Sequence, residues 1–127
     1  MAIIKVETTK APAAIGPYSQ AIKAGDFLYC SGQVPLVPGT GELVVGGIEE
    51  QTKQSLENLQ YVLSEAGVDF NSVVKTTIYL ADLGDFSVVN DIYASYCGVI
   101  APARATVEVA GLPKGALVEI DAVAYLK

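Results

Sequence analysis

An α+β fold, with a mixed sheet and two helices packed on one of its faces, is the architecture this 127-residue sequence predicts. Three observations predict it. They are β-branched and aromatic runs bounded by glycine or proline, two stretches of helical periodicity, and a length that suits one hydrophobic core. Apolar residues make up 51% and charged residues 17%, with glycine and proline scattered, so the whole chain, 1–127, is expected to order as a single domain.

The first strand is expected at Asp26 to Gly32, aromatic and β-rich between two glycines. Pro38-Gly39-Thr40-Gly41 then marks a turn into a short strand at Leu43 to Val45. From 48 to 66, Ile48, Leu56, Leu59, Val62, Leu63 and Ala66 form a stripe of period 3.6, with Glu49 and Glu50 at the positive end of the helix dipole and Gly67 as the stop. Val73 to Leu80 is β-branched enough to be a strand. Asp85 to Cys97 repeats the helical stripe through Phe86, Val89, Tyr93 and Tyr96 before Gly98. Two closing strands, Ala105 to Val109 and Leu117 to Tyr125, are joined through Gly111-Leu112-Pro113-Lys114-Gly115. The last strand carries Val118, Ile120, Ala122 and Ala124 on one face, yet its other face also ends in Val123 and Tyr125. Two helices cover one side only, so a closed homo-oligomer is expected to cover the other.

Eight basic against fourteen acidic residues give a net charge of −6, and no run of Lys or Arg offsets it, so a nucleic-acid partner is not expected. The first residues alternate charge with apolar side chains too soon for a signal-peptide core, and no window approaches a membrane span. With only Cys30 and Cys97, a reducing cytoplasm is the expected compartment.

The chain has no histidine, which removes Ser-His-Asp and Cys-His catalysis and the HExxH zinc site. The glycines form no phosphate-binding fingerprint: Gly39 and Gly41 are followed by Val44, and no Gly-Lys-Ser or Gly-Lys-Thr occurs. No metal or cofactor is therefore expected. What remains is carboxylates, hydroxyls, backbone groups, Lys, Arg and thiols. Arg104, after Pro102-Ala103 at the mouth of a strand, reads either as a surface ion pair or as a fork for a small carboxylate. Glu119 reads as a solvent-facing strand residue or as a carboxylate brought to an interface. Tyr18 either walls a pocket or anchors the N-terminal arm, and Ser31-Gly32 ends a strand where glycine permits close backbone approach. Nothing near Cys30 or Cys97 in sequence would lower a thiol pKa, so both read as inert.

Three segments, Ala11-Pro12-Ala13-Ala14-Ile15-Gly16-Pro17-Tyr18-Ser19-Gln20-Ala21, Ser31-Gly32-Gln33-Val34-Pro35 and Pro102-Ala103-Arg104-Ala105-Thr106-Val107-Glu108-Val109, closely resemble the RidA (YjgF/YER/UK) family. Gln54-Ser55-Leu56-Glu57-Asn58 and Val74-Lys75-Thr76-Thr77 fit it as well, so the resemblance runs in order through nearly the whole chain. It implies a chorismate-mutase-like fold, a homotrimer with sites at the subunit interfaces, and metal-free deamination of 2-imino and 2-enamino acids to 2-keto acids and ammonia. Carried over by motif, Arg104 holds the substrate carboxylate, Glu119 positions water, and Tyr18, Ser31, Gly32, Asn90 and Thr106 complete the cleft. The stretch Cys97 to Ala101 is shorter than in many members, and Thr106 stands where some relatives have cysteine, so the chemistry here does not depend on a thiol at that position. Two other functions remain open: a carboxylate-binding regulatory protein without turnover, and, with less support, an endoribonuclease or translation inhibitor.

Overall fold

The computed structural model describes residues 2–127. Among them are six strands and two α-helices, in the order β1 (Ile3–Val6), β2 (Ala21–Ala24), β3 (Phe27–Gln33), α1 (Ile48–Glu65), β4 (Val73–Leu80), α2 (Phe86–Tyr96), β5 (Ala103–Glu108) and β6 (Val118–Tyr125). All six strands join one sheet in the order β1-β2-β3-β6-β4-β5, in which only β4 and β5 run parallel. That pair needs a crossover, and α2 supplies it. Between β3 and β4 the chain crosses over through α1 and leaves a slot, which β6 later fills antiparallel to both neighbours.

The core lies between the helices and one face of the sheet. Leu28, Ile78, Leu80, Val118 and Ile120 meet Leu56, Leu59, Val62 and Leu63 of α1 and Val89 and Tyr93 of α2. The predicted stripes are thus the buried faces, apart from Ile48 and Tyr96, which are only partly covered, and Phe86, which is 38% exposed. Helix α1 starts where the Glu50 carboxylate accepts the Gly47 amide at 2.9 Å, and that bond holds the Glu50 carboxyl below its usual range. It stops before Gly67, which takes φ +86°.

The opposite face is uncovered in this chain. It presents Phe27 against Tyr125, ring centroids 5.4 Å apart, with Tyr29 and Val107 also exposed. The apolar end of β6 noticed in the sequence belongs to this patch.

Three expectations need correcting. Leu43 to Val45 is not a strand: a single bridge joins Leu36 to Leu43, Val45 is 92% exposed, and two glycines follow. Two strands, β1 and β2, were not anticipated, and they pair with each other and extend the sheet beyond β3. Strand β5 starts at Ala103 instead of Ala105, because its parallel pairing with β4 begins at Lys75. Arg104 therefore lies inside the strand and not at its mouth. Among the described residues no helix is long and apolar enough to cross a membrane.

Candidate active site

Strand β5 places Arg104 beside Thr76 and Thr106 beside Ile78. Thr76 and Ile78 are buried under the helices, so Arg104 and Thr106 share the helix-covered face, at the open edge of the sheet. The Arg104 guanidinium rests there on two aromatic rings of α2. The guanidinium carbon lies 5.5 Å from the Phe86 ring centroid and 5.1 Å from that of Tyr93. Arg104 Nη1 donates to Asn90 Oδ1 at 2.8 Å. No carboxylate reaches it: the two ion pairs found among the described residues are Lys5–Glu7 and Lys127–Asp26. Two residues further on, the buried Thr106 hydroxyl has no hydrogen-bond partner.

The second group of predicted residues gathers on the other side. In the β4–β6 register Glu119 pairs with Tyr79, and both alternate away from the buried Ile78 and Ile120. Strand β3 bulges opposite this point: Cys30 pairs with Ala122 and Gln33 with Ile120, so Ser31 and Gly32 together oppose one residue of β6. The bulge brings Gly32 against the Glu119 side chain. A Cβ at position 32 would sit 2.8 Å from the carboxyl carbon of Glu119, so any larger residue there would displace the Glu119 carboxylate. Ser31 Oγ donates to the Ser19 carbonyl at 2.6 Å and ties the loop carrying Tyr18 to this strand. The Tyr18 hydroxyl accepts the Ile15 amide at 3.3 Å within the loop, and Tyr18 is among the residues lining a cavity of about 640 Å³, with Ala11, Ala13 and Ala14. That cavity includes neither Arg104 nor Glu119.

The electrostatics differ between the two groups. Burial, reinforced by the negative charge of Asp121, raises the Glu119 carboxyl above its usual range. Asp121 itself accepts the Thr77 amide and the Tyr79 hydroxyl, each at 3.0 Å. The result is a carboxyl that keeps its proton to higher pH than an ordinary glutamate, beside one that is doubly hydrogen-bonded. Cys30, buried on the helix side, has its thiol pushed up to about 12, chiefly by burial. A thiolate there is inaccessible at neutral pH.

The seven residues predicted from sequence thus fall into two clusters on opposite faces of the sheet: Arg104, Asn90 and Thr106 on one, and Glu119, Gly32, Ser31 and the Tyr18 loop on the other. Sequence reading missed Phe86 and Tyr93 as partners of Arg104, having counted them only as helix core. Their spacing with Asn90, four and then three residues, was the available signal.

The sequence profile of the Endoribonuclease L-PSP family matches residues 8–126. The chain is 56% identical over 119 residues to a 2-iminobutanoate/2-iminopropanoate deaminase of Mus musculus, covering 94% of this chain and 88% of that protein. The crystal structure of YyfA, a Rid family protein of Yersinia pestis, superposes with a TM-score of 0.94 at 54% identity, over 98% of this chain and 99% of that one. Escherichia coli TdcF, solved with bound serine, superposes with a TM-score of 0.90 at 36% identity, over 96% and 98% of the two chains. Sequence and fold agree over almost the full length, and the chain belongs to the RidA family, whose profile bears the description Endoribonuclease L-PSP.

Proposed function

We propose that this protein is an enzyme that hydrolyses 2-imino acids such as 2-iminopropanoate and 2-iminobutanoate, and their enamine tautomers, to 2-keto acids and ammonia. The observation that carries the reading is Arg104: a guanidinium held against two rings and one amide oxygen, with no carboxylate of its own chain in reach. A fork so presented suits a small planar carboxylate. The deaminase name of the mouse relative and the serine held by TdcF point to the same class of ligand.

In the proposed reaction Arg104 binds the carboxylate, and the protonated imine carbon is already electrophilic enough for water to attack once oriented. Glu119 takes a proton from the attacking water as the C–O bond forms. It returns that proton to nitrogen, and as the C–N bond breaks and the C=O bond forms, the freed Glu119 carboxylate takes the remaining hydroxyl proton. Ammonia leaves, and the proton passes from Glu119 to ammonia or solvent. The Thr106 hydroxyl and backbone groups near Gly32 complete the hydrogen-bonding cage, with Asn90 and Ser31 holding Arg104 and the Tyr18 loop. The raised carboxyl of Glu119 suits the two-way proton transfer.

Arg104 and Glu119 lie on opposite faces of one sheet, so a common site needs them from different chains. A homotrimer closed over the exposed aromatic face supplies that arrangement, with one site at each subunit boundary. A cytoplasmic setting fits a substrate released by other enzymes of amino-acid metabolism.

The test couples an amino-acid lyase to this protein and times keto-acid release. Accelerated release by the parent protein is expected, with most of it lost in Arg104→Lys and affinity for 2-keto acids weakened by about 1.5–3 kcal/mol, the scale of a charge-assisted hydrogen bond. Glu119→Gln keeps much of that binding and turns over slowly. Binding without acceleration would replace the enzyme with a sensor. Ribonuclease activity has little support in a histidine-free chain of net charge −6.

A further inference from the structure

Helix α2 meets Arg104 with one face: Phe86 and Tyr93 lie under the guanidinium, and Asn90 between them accepts one of its N–H groups. Of these, Asn90 and Phe86 reach the guanidinium from the rim, whereas Tyr93 is 6% exposed and belongs to the core. The Tyr93 hydroxyl is hydrogen-bonded to Thr76 Oγ1 at 2.6 Å, inside the protein. Thr76, 1% exposed, is in turn the β4 residue paired with Arg104 in the sheet register. A closed loop results: Arg104 backbone beside Thr76, Thr76 hydroxyl to Tyr93, and the Tyr93 ring back to the Arg104 guanidinium.

We propose that the Tyr93–Thr76 hydrogen bond is a positioning device for Arg104, setting the plane in which the guanidinium meets its carboxylate. The inference rests on the carboxylate-clamp reading of Arg104. An exposed arginine side chain loses substantial rotamer freedom when it is held in one orientation, and a fork is useful only if its plane is set before the ligand arrives. The ring face of Tyr93 supplies that plane, and the buried bond at its hydroxyl pins the tip of the ring against β4. Burial raises the Tyr93 phenol pKa, so the hydroxyl remains protonated and available to that bond. Neither Tyr93 nor Thr76 is required to touch substrate; both act through Arg104.

The parent protein is compared with Thr76→Ser, which keeps the hydroxyl, with Thr76→Val and Tyr93→Phe, which each remove one partner, and with the double variant. Three quantities are read: affinity for 2-oxopropanoate by calorimetry, KM and kcat on 2-iminopropanoate, and the Arg104 Nε–Hε resonance by NMR. Thr76→Val and Tyr93→Phe are expected to weaken 2-oxopropanoate and raise KM about three- to ten-fold, the range of one hydrogen bond, with kcat little changed. Thr76→Ser restores parental values, and the double variant is no worse than either single one, because both remove the same bond. Parental affinity in folded Thr76→Val and Tyr93→Phe overturns the inference and leaves the bond a purely structural one. Should Tyr93→Phe fail to fold, the isosteric Thr76→Val carries the comparison alone. If Arg104→Lys binds 2-oxopropanoate as well as the parent does, the clamp reading itself has failed. The arginine resonance then decides separately: a shift or broadening in Thr76→Val but not in Thr76→Ser sustains the clasp, and an unmoved resonance in both removes it.

Discussion

At the scale of single residues, the sharpest contrast is between Glu119 and Asp121, two carboxylates on one face of β6. Asp121 has two hydrogen-bond donors, whereas Glu119 is partly buried beside that charge and has its carboxyl raised. A raised carboxyl binds its proton more tightly in the folded state than in the unfolded one. Between the ordinary glutamate pKa and the raised one the folded state therefore holds more protons, and stability falls as pH rises through that window. Glutamine cannot ionise, so Glu119→Gln is expected to raise the melting temperature at neutral pH, with the gain vanishing below about pH 4, where the glutamate is protonated in both states. Melting curves over this range check it; a gain independent of pH would mean that ionisation is not the cause. The acid limb of the turnover profile should disappear in the same variant.

At the scale of elements, boundaries were legible where local chemistry sets them. Val73 to Leu80 was read to its ends because β-branched residues dominate it, and α1 because its apolar stripe runs into Gly67. Gly67→Ala places a Cβ at φ +86° and is expected to cost about 1–2 kcal/mol in denaturant unfolding, leaving 2-keto-acid affinity unchanged. Strands β1 and β2 were illegible for the opposite reason. Ile3-Ile4-Lys5-Val6 and Ala21-Ile22-Lys23-Ala24 are four residues each and carry no alternation, and they become strands only by pairing with each other and with β3. The site was half legible in the same sense. Arg104 stood out through the motif around it and Glu119 through the family resemblance, but their placement on opposite faces depends on the joint register of β4, β5 and β6, which no local pattern encodes. Phe86 and Tyr93 were hidden by their own regularity, since a helical apolar stripe looks the same whether it faces leucines or a guanidinium.

At the scale of the whole molecule, the two clusters give a test of assembly that needs no structure of the oligomer. Arg104→Lys and Glu119→Gln, each nearly inactive alone, are co-expressed so that mixed oligomers form. If every site takes its arginine from one chain and its glutamate from the next, about a quarter of the sites in an equal mixture regain both parental residues. A site built within one chain would recover nothing. The exposed patch of Phe27, Tyr29 and Tyr125 sets the companion expectation: if the proposed trimer closes over it, Tyr29→Glu should sediment as a monomer and lose turnover while keeping the far-UV spectrum of the parent.

Strand β6 lies between β3 and β4, yet its sequence comes after both, with α2 and β5 between β4 and β6. Until it arrives, β3 and β4 each have an unsatisfied ladder edge, and no hairpin can hold the middle of the sheet together. Closing the sheet therefore requires contacts between residues far apart in the chain, such as Leu28 with Ala124, and the entropy of those loops is lost before the core rewards it. Docking of the last strand is therefore the step expected to limit the rate of folding. Shortening Ile120 to valine should slow refolding more than it speeds unfolding, and chevron measurements would show which arm moves. A chain interrupted before β6 would present two open edges to its neighbours, so the same arrangement that seats Glu119 at the middle of the sheet makes incomplete copies of this protein prone to aggregate.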